Sequence, residues 1–327
     1  MRKISTIFGG FDLTFIDIDI QPYDIDTNEL IQNIPVIGSH HRNTNIDFRP
    51  GGNGFNFCRA LAHLGRDVTY VGPSSAFFEQ IVKENEIPIE IFPIRNSDVS
   101  YTAILNRRNG ETQFNSVRSF LSYEHLNEEL VEKFKNSPIK SISNVSLNPT
   151  SIEWICSLLI SLVNYNLVEE MKNQPSPLDA LRDVQDTSFE GIIFIDPSDI
   201  SHFSRVKEFS IFLELLKKFK GEKYLSVNEN ELKTLQTVFN KDSEELSKYL
   251  ELPIIFHTSK EVRYYNKKMI KLPTLKLKTM KTFVGAGDCF NGAFLHSLFN
   301  SSSEEDALKF AIKSATYLIE TGDYPTA

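Results

Sequence analysis

Gly285-Ala286-Gly287-Asp288 stands at the head of an apolar stretch, Cys289–Phe299, that reads as a helix. Small residues let a ligand approach the backbone, and the unpaired N–H groups of a first helical turn point at it. With the helix dipole they make an anion hole suited to a phosphoryl group in transfer. A carboxylate there, Asp288, can take the proton from a hydroxyl as its oxygen attacks phosphorus. The competing reading is that Asp288 only caps the helix, since Asp is a favoured cap residue.

Two further segments add to this. In Gly51-Gly52-Asn53-Gly54-Phe55-Asn56, the glycines allow close approach, and Asn53 and Asn56 can hydrogen-bond sugar hydroxyls without adding charge. No Gly-Lys-Ser/Thr ending follows, so this is not a P-loop; an ordinary glycine turn with an Asn cap is the plain alternative. In Asn228-Glu229-Asn230-Glu231, an amide and a carboxylate share one face of a first helical turn. They can hold Mg²⁺, directly or through its waters, against nucleotide phosphates, or they can form a capping box.

The elements that must position these residues alternate. Ile4–Phe8 reads as a buried strand ending in a turn at Gly9-Gly10. Residues 11–50 read as irregular, with one or two strands in pieces such as Val36–Ile37 and Asn45–Phe48. A helix follows Gly54, with Phe57, Ala60, Leu61 and Leu64 on one stripe and Gly65 as its C-terminal stop. Asp67–Gly72 is the next strand. Ile89–Ile94, Tyr101–Asn106 and Thr112–Ser116, the last two joined by an Asn109-Gly110 hairpin signal, predict a small sheet separate from the main one.

From residue 118 strands and helices alternate again: Ile192–Ile195 ending in Asp196-Pro197, the helical Phe209–Phe219, the strands Tyr224–Val227 and Pro253–His257, and the closing helix Glu304–Glu320. That order predicts an α/β fold with a doubly wound, mostly parallel sheet flanked by helices, binding ligands at the carboxyl ends of its strands. Residues 161–190, with Pro175 and Pro177, read as a surface excursion. The predicted division is a large nucleotide- and substrate-binding domain of residues 1–10, 51–88 and 118–327, and a small β lid of 89–117 with part of 11–50.

In this order and spacing, the three segments resemble the ribokinase-like (PfkB) family of carbohydrate and nucleoside kinases over nearly the whole chain. The resemblance implies transfer of a nucleotide's terminal phosphoryl group, with ATP as donor, to a hydroxyl of a sugar, sugar phosphate or nucleoside. It implies Asp288 as base, an anion hole at Gly285, Ala286 and Gly287, and Asn228 and Glu231 organising Mg²⁺ and phosphate. Gly52, Asn53 and Asn56 would line the sugar site with Asp12, and the hairpin Tyr101–Ser116 would be the lid, through which a homodimer could form. Asn228, Thr258, Ser259, Gly285 and Gly287 would face the nucleotide.

The chain departs from the family pattern twice. Thr282 stands six positions before Asp288, where members often carry an acidic residue beside a monovalent-cation site. The nucleotide loop reads His257-Thr258-Ser259-Lys260-Glu261 without the usual glycines, which leaves ADP open as the donor.

Composition narrows the classes. The 327 residues are 41% hydrophobic and 24% charged, enough for a substantial core. A net charge of −8 argues against a general nucleic-acid binder. Cys58, Cys156 and Cys289 form no CxxC pair, so neither a disulfide framework nor a cysteine zinc site is indicated. Cys289 reads as a packing residue beside Asp288. The start shows no apolar signal core, and no apolar run approaches the roughly 20 residues of a membrane span; the expected location is cytoplasmic. His40-His41 reads as surface, and most of Arg42, Arg49, Arg107, Arg108 and Arg118 as solvated charge, although they could grip a phosphosugar. A dinucleotide-dependent dehydrogenase is disfavoured, since Gly9-Gly10-Phe11-Asp12 is no GxGxxG. A non-catalytic binding protein of the same fold is opposed by the intact Asp288 and its glycines.

Overall fold

The computed structural model describes residues 8–23, 27, 29–32, 44–107, 110–171, 174 and 176–326. Nine strands form one sheet: β1 (Phe8–Phe11), β4 (Val68–Pro73), β5 (Glu90–Ile94), β8 (Ile139–Ile142), β9 (Thr187–Ile195), β10 (Phe219–Val227), β11 (Ile254–His257), β12 (Glu261–Tyr265) and β13 (Ile270–Pro273). Their order is β13-β12-β11-β10-β9-β8-β1-β4-β5, parallel except for β12 and β13, which turn back antiparallel at one edge. The order runs outward in both directions from β1 and β8, as a doubly wound sheet requires.

The strands have near-continuous apolar runs because both faces are buried. In β9, Ile193 and Ile195 enter a core cluster with residues of α4 (Ser151–Val163), α7 (Val206–Leu215), α8 (Glu229–Phe239) and α9 (Ser243–Leu250). Ile192 and Phe194 enter the opposite cluster with residues of α1 (Asn53–His63), α2 (Ala76–Glu84), α10 (Ala286–Phe299) and α11 (Glu304–Thr321). The strand period of two thus feeds two helical layers.

The second sheet has four strands in the order β3 (Thr44–Gly51), β2 (Phe15–Pro22), β6 (Ser100–Arg107) and β7 (Gly110–Ser116). Register puts Asp17, Thr102 and Asn115 in one row and Ile18, Ala103, Phe48 and Phe114 in the next, on the other face. The sheet therefore has a polar face and an apolar face.

Several expectations need correction. Glu90–Ile94 pairs with β4 at the edge of the large sheet and takes no part in the small one. Its apolar residues are the same in either sheet, and only the partner distinguishes them. Gly9 and Gly10 lie inside β1, not in a turn after it. Gly10 is small because α1 crosses tightly, a Cβ there standing 2.4 Å from Cys58 Sγ, and Gly9 because Phe11 and the Ser137 hydroxyl lie 2.6 Å from where its Cβ would be. Residues 161–190 are not a mere excursion. α5 (Asn166–Met171) and α6 (Pro177–Asp183) bury Val168, Met171, Leu178 and Leu181 in the core. Val36–Ile37, His40, His41, Arg42, Arg108, Asn109 and residues 4–7 lie outside the described residues. The strands flanking the expected hairpin are present, with Arg107 opposite Gly110.

Candidate active site

Helix α10 begins at Ala286, with Gly285 as its N-cap in the left-handed region (φ 76°) and no side chain capping it. Glycine reaches that conformation without steric cost. Asp288 therefore sits inside the first turn and is not the cap. Its carboxylate, 8% exposed as a residue, accepts a hydrogen bond from Asn56 Nδ2 at 3.2 Å. The amide of Ala286 is used by the carbonyl of Phe283 at 3.2 Å. Of the expected anion-hole residues, Ala286 thus has its amide engaged, whereas the amides of Gly285 and Gly287, like that of Asp288, have no backbone acceptor. A Cβ on Gly287 would meet only the His257 ring, at 3.4 Å, so the space before this helix end is open.

A cavity of about 390 Å³ lies in front of this turn. The large sheet contributes Asp196 and His257 from the carboxyl ends of β9 and β11, and Asn228 and Glu231 from the start of α8. Gly52, Asn53 and Asn56 come from the start of α1, and Asp17, Thr102, Gln113 and Asn115 from the polar face of the small sheet. Of the sequence-selected residues, Gly52, Asn53, Asn56, Asn228, Glu231, Gly285, Gly287 and Asp288 all line this one cavity.

Asp12 is not among the lining residues. It is fully buried behind the site, where its carboxylate accepts from the amides of Leu13 and Gly54, both at 2.6 Å, and from Asn144 Nδ2 at 2.7 Å. Burial still raises its pKa to about 8 against those bonds. Asp12 ties the Gly52–Gly54 turn to Asn144; Ser198 continues the chain by donating to Asn144 Oδ1 and accepting from Asn53 Nδ2, each at 2.9 Å.

Asn228 and Glu231 form the capping box that their spacing allowed. Asn228 Oδ1 accepts from the amide of Glu231 at 3.1 Å. Both Glu231 oxygens accept from Asn228, one from its amide at 2.8 Å and one from Nδ2 at 2.6 Å. The box nevertheless opens on the cavity with Glu231 only 4% exposed. Asp196, which sequence reasoning passed over, accepts from Asn291 Nδ2 at 2.8 Å and from the amide of Ser198 at 3.1 Å.

These acids crowd one another. Asp288 is pushed well above the carboxylate range by burial first and Asp196 second, with the Asn56 bond opposing. Glu231 is raised by burial and by Asp196, and Asp196 by burial. Asp17 rises to about 7 through burial and the neighbouring Asp19. Carboxylates in this state suit a hard dication. Among the described residues no group of three or more His, Cys, Asp or Glu could hold a metal unaided.

A second, mainly apolar cavity of about 270 Å³ lies on the far side of Gly287, between the β11–β12 turn and α11. Thr258 and Ser259 line it, together with Leu275, Leu277, Ile312 and Ile319. Thr258 substitutes for the absent glycines by closing the turn itself, its hydroxyl accepting from the amides of Lys260 and Glu261. The cavities share His257, Phe283 and Gly287, so they form one groove across the end of α10. Burial holds His257 down to about 4, hence neutral.

Sequence reasoning missed Asp17, Thr102, Gln113, Asn115, Asp196 and His257. Asp196 and His257 carried a usable signal, a polar residue at the carboxyl end of a parallel strand. The alternation Phe15-Ile16-Asp17-Ile18-Asp19-Ile20 marked a two-faced strand but did not say what its polar face meets.

The fold is that of the ribokinase class. The structure superposes on a nucleoside kinase from Methanocaldococcus jannaschii (TM-score 0.67, 14% identity, 98% of this chain and 95% of that one). It superposes equally on a ribokinase from Thermotoga maritima (0.66, 18%, 98% and 95%) and on phosphofructokinase-2 from Escherichia coli (0.68, 16%, 97% and 94%). No curated protein sequence matches the chain. The chain belongs to the pfkB family of carbohydrate kinases, whose sequence profile it matches over residues 12–197 and 204–323. It is therefore a sugar or nucleoside kinase. No helix among the described residues is long and apolar enough to cross a membrane.

Proposed function

We propose that this enzyme transfers the terminal phosphoryl group of ATP to a hydroxyl of a sugar, sugar phosphate or nucleoside, with Asp288 as general base. The observation that carries the reading is the Asp288 carboxylate, held by Asn56 and set beside the unpaired amides of Gly287 and Asp288 in one cavity. The acceptor hydroxyl gives its proton to Asp288 as its oxygen attacks the terminal phosphorus. The bond from that phosphorus to the bridging oxygen breaks, ADP leaves, and the two amides hold the charge on the phosphoryl oxygens.

Asn228 and Glu231, with Asp196 beside them, would hold Mg²⁺ through its waters, since both Glu231 oxygens already accept from Asn228. Bound there, Mg²⁺ supplies the positive charge that offsets the phosphates and lets the buried acids ionise. Thr258, Ser259 and the apolar cavity suit the nucleotide's base and ribose. The glycine-free turn keeps ADP as the alternative donor.

The small sheet is the lid of this reading. Its polar face covers the acceptor end, and closure excludes water from the transfer. Its other face leaves Ile46 (60%), Phe48 (41%) and Phe114 (58%) exposed, which supports a homodimer through the lid. Three free, buried cysteines fit a cytoplasmic enzyme. A coupled screen of sugars, phosphosugars and nucleosides against ATP and ADP with Mg²⁺ tests the proposal; hydroxyl phosphorylation is expected, and its absence throughout overturns it.

A further inference from the structure

The polar side chains lining the cavity are mostly oxygen acceptors and neutral amides. Asp17, Asp196, Glu231 and Asp288 are its titratable carboxyls, and Asn53, Asn56, Asn115, Gln113 and Thr102 its neutral polar groups. No Lys or Arg among the described residues lines it. The described arginines of the small sheet and its exit are engaged elsewhere. Arg49 pairs with Asp19 at 2.8 Å and Asp47 at 3.3 Å. Arg107 donates to the Thr112 hydroxyl at 2.7 Å and lines a different cavity, and Arg118 lies over the Tyr101 ring at 5.6 Å.

Resting on the kinase reading above, we infer that the acceptor is an uncharged sugar and that Asp17 is the residue that excludes phosphosugars. A sugar hydroxyl donates as well as accepts, so it can satisfy a carboxylate and an amide alike. A phosphate monoester near neutral pH is a dianion that only accepts, and it needs N–H donors or cations. The row Asp17, Thr102, Asn115 offers it few. The Thr102 hydroxyl is spent on Asn115 Oδ1 at 2.9 Å, and Asp17 is an acid 8% exposed beside Asp19. Bringing a second phosphate into a space that already receives the nucleotide's phosphates would set like charges together in a low-dielectric pocket. Such juxtaposition is how a site rejects a wrong partner. A nucleoside acceptor is less well served by this lining, because a base needs an apolar or aromatic wall: Phe15 is only 2% exposed, and Phe283, 44% exposed, stands where this cavity joins the apolar one.

The test is a steady-state comparison of D-ribose, D-fructose and D-glucose with ribose 5-phosphate, fructose 6-phosphate, glucose 6-phosphate and adenosine, with ATP and Mg²⁺. At least one neutral sugar is expected to exceed its phosphate in kcat/KM by ~100-fold or more, the size of a repulsion of a few kcal/mol. Asp17→Asn, which keeps size and shape, should raise KM for the neutral sugar and shrink that ratio by roughly 10-fold, a readout that loss of packing alone would not move. A phosphosugar used as well as its parent, or adenosine preferred over every sugar, overturns the inference and leaves the kinase reading standing. A ratio unchanged in Asp17→Asn removes Asp17 as its cause. Transfer to none of the seven counts against the kinase reading and takes this inference with it.

Discussion

The N-terminus of α10 and the inner face of the small sheet bound the same cavity but are built on different principles. At α10 the lining residues are neighbours in sequence: Gly285, Gly287 and Asp288 fall within one helical turn, and one turn of backbone geometry aims them. On the small sheet Asp17, Thr102 and Asn115 come from three strands and meet only because register aligns them. The first arrangement is rigid and suits a charge whose place is set by the reaction. The second can change one side chain at a time, which suits recognition of the acceptor.

Substitutions at the helix end should therefore abolish turnover, and those on the sheet should alter substrate preference. Asp288→Asn should lower turnover by roughly 100-fold or more while nucleotide affinity and folding stay near wild type, because the amide cannot take the proton. Stopped turnover assays with a nucleotide titration check this, and retained activity would remove Asp288 as the base. Glu231→Gln is expected to cost on the order of 10- to 1000-fold, partly rescued by excess Mg²⁺. An unchanged Mg²⁺ dependence would reduce Glu231 to its role in the capping box.

Smaller effects are expected across the cavity. Gln113→Ala with Asn115→Ala should raise the acceptor KM by about 10-fold and leave kcat within a few-fold, the signature of lost uniform binding. A fall in kcat matching that of Asp288→Asn would erase the distinction between the two regions.

The smallest effect is on stability. Burial and Asp19 raise Asp17 from the ordinary carboxylate range to about 7, so the folded state holds its proton more tightly. The resulting stabilisation is fully present below the unfolded pKa and is lost as pH rises through about 7. The ligand-free protein should melt lower at pH 8 than at pH 5, and Asp17→Asn should narrow that gap by up to ~4 °C, since two pH units of linkage are worth about 3 kcal/mol against an unfolding entropy of about 0.7 kcal/mol/K for a chain of this length. A gap of equal width in the variant would place the pH sensitivity in other acids.

Much of the large domain was legible from local pattern. The strands Ile192–Ile195, Tyr224–Val227 and Pro253–His257 and the helices around Phe57, Phe209 and Glu304 all formed near where periodicity put them. Glu90–Ile94 was misplaced because an apolar strand carries no mark of which sheet it will join. Gly9-Gly10 was misread because a glycine pair signals either a turn or a close crossing, and only the crossing helix with Cys58 distinguishes them.

Sequence alone marked the glycine-led helix start before Asp288, the spacing that allows a capping box at Asn228 and the alternation of strands and helices. Each depends on residues within a turn or two of one another, where backbone geometry converts spacing into direction. Tertiary structure alone decided that Asp12 lies behind the site and Asp17 within it. The two differ by five positions, and their roles were set by distant partners: Gly54 and Asn144 satisfy the Asp12 carboxylate and bury it. Asp17 stands on a strand whose pairing with β6 turns it toward the cavity. Strand pairing is long-range, and the face a side chain takes depends on a register that no local stretch of sequence records.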